Sequence, residues 1–131
     1  MSTRRSPQDR VLHVKVGESL QESGRRAAAA MKALTDGRVT SPYFGVSFEQ
    51  VGQMLAAFTP RRWELLAALR SWGPMTVADL ARRLGRNYKN VHTDVQQLIE
   101  WMAVQRDEDG RVSVPWSDIL VDMKLPQRIA A

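Results

Sequence analysis

The stretch from Thr59 to Gly110 is punctuated so closely that it leaves few folds open. Thr59-Pro60 sets a capping hydroxyl before a proline at the first helical position, where the missing N–H costs nothing. The helix it opens runs over 60–72, with Trp63, Leu65, Leu66 and Leu69 on its apolar side, and Gly73-Pro74 ends it. Thr76-Val77-Ala78-Asp79 starts a second, short helix with Val77, Leu80, Ala81 and Leu84 inward and Gly85 as its stop. Asn87 caps a third helix reaching to about Met102, in which Val91, Val95, Leu98 and Met102 recur on one face. Val104-Gln105-Arg106 and Arg111-Val112-Ser113-Val114 then flank the turn Asp107-Glu108-Asp109-Gly110 as a hairpin, closed off by Pro115.

Helix, short helix, glycine turn, helix and hairpin is the order of a winged helix-turn-helix. The sequence upstream adds a strand-helix extension. Leu12, Val14 and Val16 alternate with His13 and Lys15 in a period-2 strand ended by Gly17. Ser19-Leu20-Gln21-Glu22 forms a capping box for a helix to about Thr35, with Leu20, Ala27, Met31 and Leu34 on a narrow stripe. That stripe needs cover, from the core or from a second chain. Tyr43-Phe44-Gly45-Val46 is a short strand after Pro42. Ser47-Phe48-Glu49-Gln50 reads as another capping box, opening a helix with Val51, Met54, Leu55 and Phe58. Ile119-Leu120-Val121 forms one more short strand. The expected fold class is α+β, mainly helical. The expected organisation is a disordered basic arm over 1–10, the strand-helix extension over 11–58, the winged helix-turn-helix over 59–122 and a flexible tail over 123–131.

Composition removes several function classes. The 131 residues include no cysteine and two histidines, His13 and His92, so thiolate metal sites and cysteine nucleophiles are excluded and a histidine-based metal site has too few ligands. No glycine-rich phosphate loop, HExxH or GxSxG motif and no convincing carboxylate pair is present, so the chain reads as a non-enzyme without cofactors. No apolar run approaches a membrane span, and no apolar segment follows the basic N-terminus, which points to a cytoplasmic protein. The formal net charge is +5, and it is uneven. Residues 60–96 hold seven basic and three acidic side chains, net +4, whereas 97–131 are net −2. A basic stripe is either a solvated helical surface or the footprint of nucleic-acid binding.

The third helix of the punctuated stretch weighs toward nucleic acid. At 100° per residue, Val95, Leu98 and Met102 fall within about 40° of Val91. Lys89, Thr93, Gln96 and Glu100 fall opposite, with His92 between. The first two turns therefore display Tyr88, Lys89, His92, Thr93 and Gln96, side chains suited to base edges and phosphates in a major groove. Arg86, Asn87 and Asn90 sit at the helix start, where amides and dipole favour a phosphate. Arg82 and Arg83 are placed to clamp flanking phosphates, although Arg83 also stands at ion-pair spacing from Asp79. In the hairpin the acidic tip would be repelled by phosphate, so its basic stems, Arg106 and Arg111, are the expected contacts. Trp63, Trp72, Trp101 and Trp116 read as packing residues, not as a base-stacking platform.

The residues from Leu80 to Leu98 and from Asp109 to Ile119 carry a resemblance. They are similar to the "LARRLGRxxKNVHxDVxxL" and "DGRVxVPWxxI" segments of the MarR-like winged-helix family of bacterial and archaeal transcriptional regulators, and the similarity extends over about residues 11–122. Thr93 departs from the basic residue that many relatives carry there. The resemblance implies a DNA-binding fold, and some members of the family resemble antitoxins encoded beside a small TumE-like toxin. The leading expectation is a sequence-specific double-stranded DNA-binding repressor or autoregulator acting as a homodimer. The alternative is an antitoxin whose N-terminal part holds a cognate toxin protein.

Overall fold

The structure is a computed structural model that describes residues 10–38 and 43–125. In chain order the elements are β1 Val11–Val16, α1 Leu20–Thr35, β2 Phe44–Phe48, α2 Val51–Ala57, α3 Pro60–Trp72, α4 Val77–Leu84, α5 Tyr88–Glu100, β3 Gln105–Arg106, β4 Val112–Ser113 and β5 Asp118–Met123. The class is α+β, with five helices and little sheet among the described residues. No helix among them is long and apolar enough to cross a membrane, and no cluster of three His, Asp or Glu side chains is placed to hold a metal ion. The basic arm expected over 1–10 lies outside the described residues except for Arg10, as does the tail from 126 onward.

The chain forms two compact units, and the division falls inside α2. The first unit is Leu55–Asp118 with Arg10. Its helices α3, α4 and α5 begin and end where local chemistry dictates. Thr59 accepts a hydrogen bond from the Arg62 amide with Pro60 at the helix start, Thr76 accepts from the Asp79 amide, and Asn87 accepts from the Asn90 amide. Such a cap is worth about 1 kcal/mol. Gly85 ends α4 with φ 66°, and the amides of Gly85 and Arg86 return to Arg82 and Ala81. The apolar faces these caps define are the buried ones: Leu65, Leu66 and Leu69 from α3, Val77, Leu80 and Ala81 from α4, and Val91, Val95 and Leu98 from α5. Each of the leucines and valines contributes about 1.5–3 kcal/mol when fully removed from water. Leu84, expected inward, is half-buried.

Two features of this unit differ from the expectation or extend it. The third helix stops at Glu100 and not at Met102. Met102 has φ 68° and is partly exposed, because the chain reverses there: its amide bonds Ile99 and the Ala103 amide bonds Leu98. The Trp116 indole N–H then donates to the Met102 carbonyl at 2.7 Å. The hairpin forms as expected, β3 against β4 antiparallel, with Asp107 Oδ1 accepting the amides of Asp109 and Arg111 across the turn. Met75, between α3 and α4, adds a bridge to Val112 on the other side of β4.

The second unit holds a three-stranded sheet in the order β2-β1-β5. β1 and β2 are parallel, with Leu12 opposite Phe44 and Val16 opposite Phe48. Ser47 and Phe48 therefore belong to the strand, correcting the capping box expected there. Phe48 is buried beside Val16, and this non-local pairing outweighs the local cap; the Gln50 amide bonds the Gln53 side chain at the start of α2 instead. Of the apolar residues expected inward from α2, Met54 and Phe58 are buried while Val51 and Leu55 are exposed. β5 joins β1, so residues 119–122 fall with the N-terminal segment and not with 59–118.

α1 has its expected Ser19 cap, yet none of its described side chains is buried. It meets the sheet through a polar contact, the Ser23 hydroxyl donating to Ser47 Oγ, and Arg26 pairs through both guanidinium nitrogens with Glu18 in the link before the helix. The stripe expected to need cover is exposed within the chain, Met31 at 67% and Leu34 at 37%. The Leu20 side chain lies outside the described residues.

Candidate functional site

The site predicted on α5 is built by the periodicity of that helix. Burial of Val91, Val95 and Leu98 forces Tyr88, Lys89 and Thr93 to the exposed side. Asn90 is exposed as well, and His92 and Gln96 are half-buried at the margin. The rings of Tyr88 and His92, four residues apart, lie with centroids 5.8 Å from each other, so they present one surface. The Thr93 hydroxyl donates to the Lys89 carbonyl, which leaves its oxygen as an acceptor outward. Lys89 is exposed, and its ammonium carries three donors toward solvent. Asn87 is committed as the helix cap.

The arginines divide into committed and open groups. Arg82 pairs with Asp79 at 2.7 Å, taking the carboxylate that the sequence offered to Arg83. This pair is solvent-exposed, so it contributes at most a few tenths of a kcal/mol. Arg83 instead lies over the Trp72 ring, 4.4 Å from its centroid. Arg106 and Arg111 are exposed on the hairpin stems. Arg86 is inward-facing: its Nη2 bonds Asp94 Oδ2 at 2.7 Å and its side chain is only 17% exposed. The Arg86 Nε–H is buried with no hydrogen-bond partner.

Asp94 is the residue that sequence reasoning undervalued. Its second oxygen takes Arg62 Nε at 3.0 Å, so one half-buried carboxylate joins guanidiniums from α3 and from the α4–α5 turn. Arg62 also donates to the carbonyls of Ala56 and Ala57 at the end of α2. A signal existed: Asp94 falls about 60° from Val91, at the margin of the buried stripe, where an acidic residue needs partners. Its partners could not be read locally, because Arg62 is 32 positions away.

Arg70 and Arg10 act on the hairpin's far end and not on this face. Arg70 Nε donates to the Trp116 carbonyl, and the Arg10 guanidinium lies 5.1 Å from the centre of the Trp116 ring. Trp116 is buried, and Trp63 stacks on Phe58 with centroids 5.0 Å apart, in line with a packing role for both.

A family model described as HVO_A0114 matches residues 57–121. No curated protein matches the chain. The matched span contains α3, α4, α5 and the β3–β4 hairpin, and with them every arginine of the candidate face.

Proposed function

We propose that this chain is a sequence-specific double-stranded DNA-binding transcriptional regulator, a repressor or autoregulator, whose Leu55–Asp118 unit works as a winged helix-turn-helix of MarR-like type. The carrying observation is the division of α5 into a fully buried aliphatic face and an exposed polar one, displayed behind a short helix and a left-handed glycine. A helix held on one side by Val91, Val95 and Leu98 presents Tyr88, Lys89, His92, Thr93 and Gln96 as a rigid set to a major groove. Arg106 and Arg111 on the hairpin stems are the matching phosphate contacts, and Arg82 and Arg83 flank the groove. No bond is made or broken in this function; occupancy of an operator is the activity.

Mobility shift against DNA from upstream of the chain's own reading frame, at stated salt, tests the proposal. Wild type is expected to bind. Lys89→Ala, at an exposed position, is expected to bind more weakly without loss of fold and, if its contact is a phosphate, with a log-affinity against log-salt slope flatter by about one unit. Equal affinity and slope for the two proteins would reject α5 as the docking helix.

Pairing of two copies is the second part of the proposal, since two half-sites double the base contacts of one module. It draws support from the exposed α1 stripe of Ala27, Met31 and Leu34, beside a groove of about 430 Å³ that Tyr43 and Gly45 also line. The antitoxin reading draws on the same surface, with a toxin protein in place of the second copy. Light scattering separates them: a dimer at micromolar concentration that Met31→Asp dissociates supports pairing, whereas a strict monomer removes it.

A further inference from the structure

Arg61 and Arg62 are two of the seven basic residues in 60–96. In the structure they open onto a cleft of about 500 Å³ between the start of α3 and the outer side of α5, with Arg86, Asn90, Thr93 and Asp94 on its walls. We propose that this cleft seats a backbone phosphate of duplex DNA, with Arg61 as its outer clamp. The proposal rests on the DNA-binding reading above and adds Arg61 and Arg62 of α3 to the contacts on α5 and the hairpin.

Three guanidiniums meet one carboxylate here. Asp94 is shared between Arg62 and Arg86, so that trio keeps one positive charge, and Arg61 adds another. The shared carboxylate also does positioning. It holds Arg62 and Arg86 in fixed orientations at 13% and 17% exposure, so a phosphate would meet donors whose side-chain freedom is already lost. Arg62 is held further by the Ala56 and Ala57 carbonyls. Guanidinium has five N–H donors. Asp94 and the two carbonyls occupy only Nε and Nη1 of Arg62 and only Nη2 of Arg86. Arg61 is exposed at the mouth, without an ion pair among the described residues.

The cleft's position favours DNA over a dissolved anion. Asn90 and Thr93 line it and also belong to the exposed side of α5, Asn90 next to Lys89 and Thr93 one helical turn on. A phosphate seated there lies along the strand that borders the groove α5 would enter. Its space is several times what one inorganic phosphate fills, and suits a phosphate with its flanking sugars.

The test uses the full chain and a labelled mixed-sequence duplex of about two helical turns. Affinity is measured over a salt series for wild type, Arg61→Ala, Arg61→Lys and Arg25→Ala, the last an exposed arginine on α1. Arg61→Ala is expected to weaken binding about tenfold at low salt and to flatten the log–log slope by about 0.9. Arg61→Lys is expected to keep the slope, and Arg25→Ala to keep both slope and affinity. Equal losses in Arg61→Ala and Arg25→Ala would mean a net-charge effect only and overturn the cleft. Wild-type binding with no change in Arg61→Ala overturns the cleft alone, while absence of wild-type binding at low salt overturns the DNA reading and the cleft together. Calorimetric titration with inorganic phosphate separates the sources: saturable heat lost in Arg61→Ala, with an unchanged DNA slope, would assign the cleft to a free anion instead.

Discussion

The two units hold helices of opposite kinds. α5 has a cap, an aliphatic face and three side chains fully removed from water. α1 is longer and as well capped, yet buries no described side chain and is held by polar bonds, Ser23 to Ser47 of the sheet and Arg26 to Glu18 in the link before the helix. Capping and periodicity thus give a helix in both places, but only burial converts a helix into a stable part of a fold. The first unit has its own apolar core; α1 has a polar seat and an exposed stripe, the arrangement expected of an element that is completed by another surface.

The largest expected effect breaks this comparison directly. Leu98 is fully buried in α5, so Leu98→Ala should cost about 2–5 kcal/mol. All four tryptophans lie in the same unit, so indole fluorescence during denaturant unfolding reports the loss. Met31→Ser on α1, measured at a dilution where copies are separate, should stay within about 0.5 kcal/mol because the side chain is already 67% exposed. Comparable losses for the two would show that α1 is packed as tightly as α5 and remove the contrast.

The second effect lies in the polar seat of α1. The Arg26 guanidinium bonded to Glu18 holds that carboxyl below its ordinary value, against the opposing pull of burial. A carboxyl whose pKa is lower folded than unfolded stabilises the fold above the ordinary carboxylate range, and the gain is lost as pH falls through that range toward the folded value. Wild type should therefore outlast Glu18→Gln in amide exchange across β1 at neutral pH, and the gap should close below about pH 4. A gap independent of pH would assign the Glu18 contribution to packing and hydrogen bonding, not to charge. Asp122 is lowered likewise by Lys15, but it is solvent-exposed, and Asp122→Asn should change little.

What the sequence made legible was the local chemistry. Thr59, Pro60, Thr76, Asn87 and Gly85 each act on residues within one turn, and each marks the boundary read from it. The exposed set on α5 followed from the buried one by geometry alone. The unforeseen features all depend on partners far along the chain. Ser47 reads as a cap until β1 claims it as a strand residue opposite Lys15. Residues 119–122 read as the end of the winged helix-turn-helix until β5 pairs with β1. Met75 gives no strand signal by itself, and its bridge exists because Val112 offers a free edge. Arg86 reads as a phosphate contact free of any ion pair until Asp94 fixes its orientation, and the cleft with Arg61 exists only because α3 lies against α5.

The smallest effect separates two helix ends inside the first unit. α4 and α5 finish with the same pair of returning amide bonds, around Gly85 with φ 66° and around Met102 with φ 68°. Glycine takes that conformation freely, whereas a side chain there crowds the following carbonyl at a cost of about 1–2 kcal/mol. Methionine persists because its neighbours over-determine it: Ala103 and Val104 are buried immediately after, and Trp116 holds the Met102 carbonyl. Met102→Gly keeps all of these backbone bonds and gives up a side chain that is 38% exposed. Set against the greater freedom of glycine in the unfolded chain, the net gain should be about 0.5 kcal/mol, a rise of about 2 °C in Tm. Gly85→Ala at the matching end of α4 should move the other way, by about 1 kcal/mol. A fall in Tm for Met102→Gly would mean that the methionine side chain contributes more by packing than its backbone conformation costs.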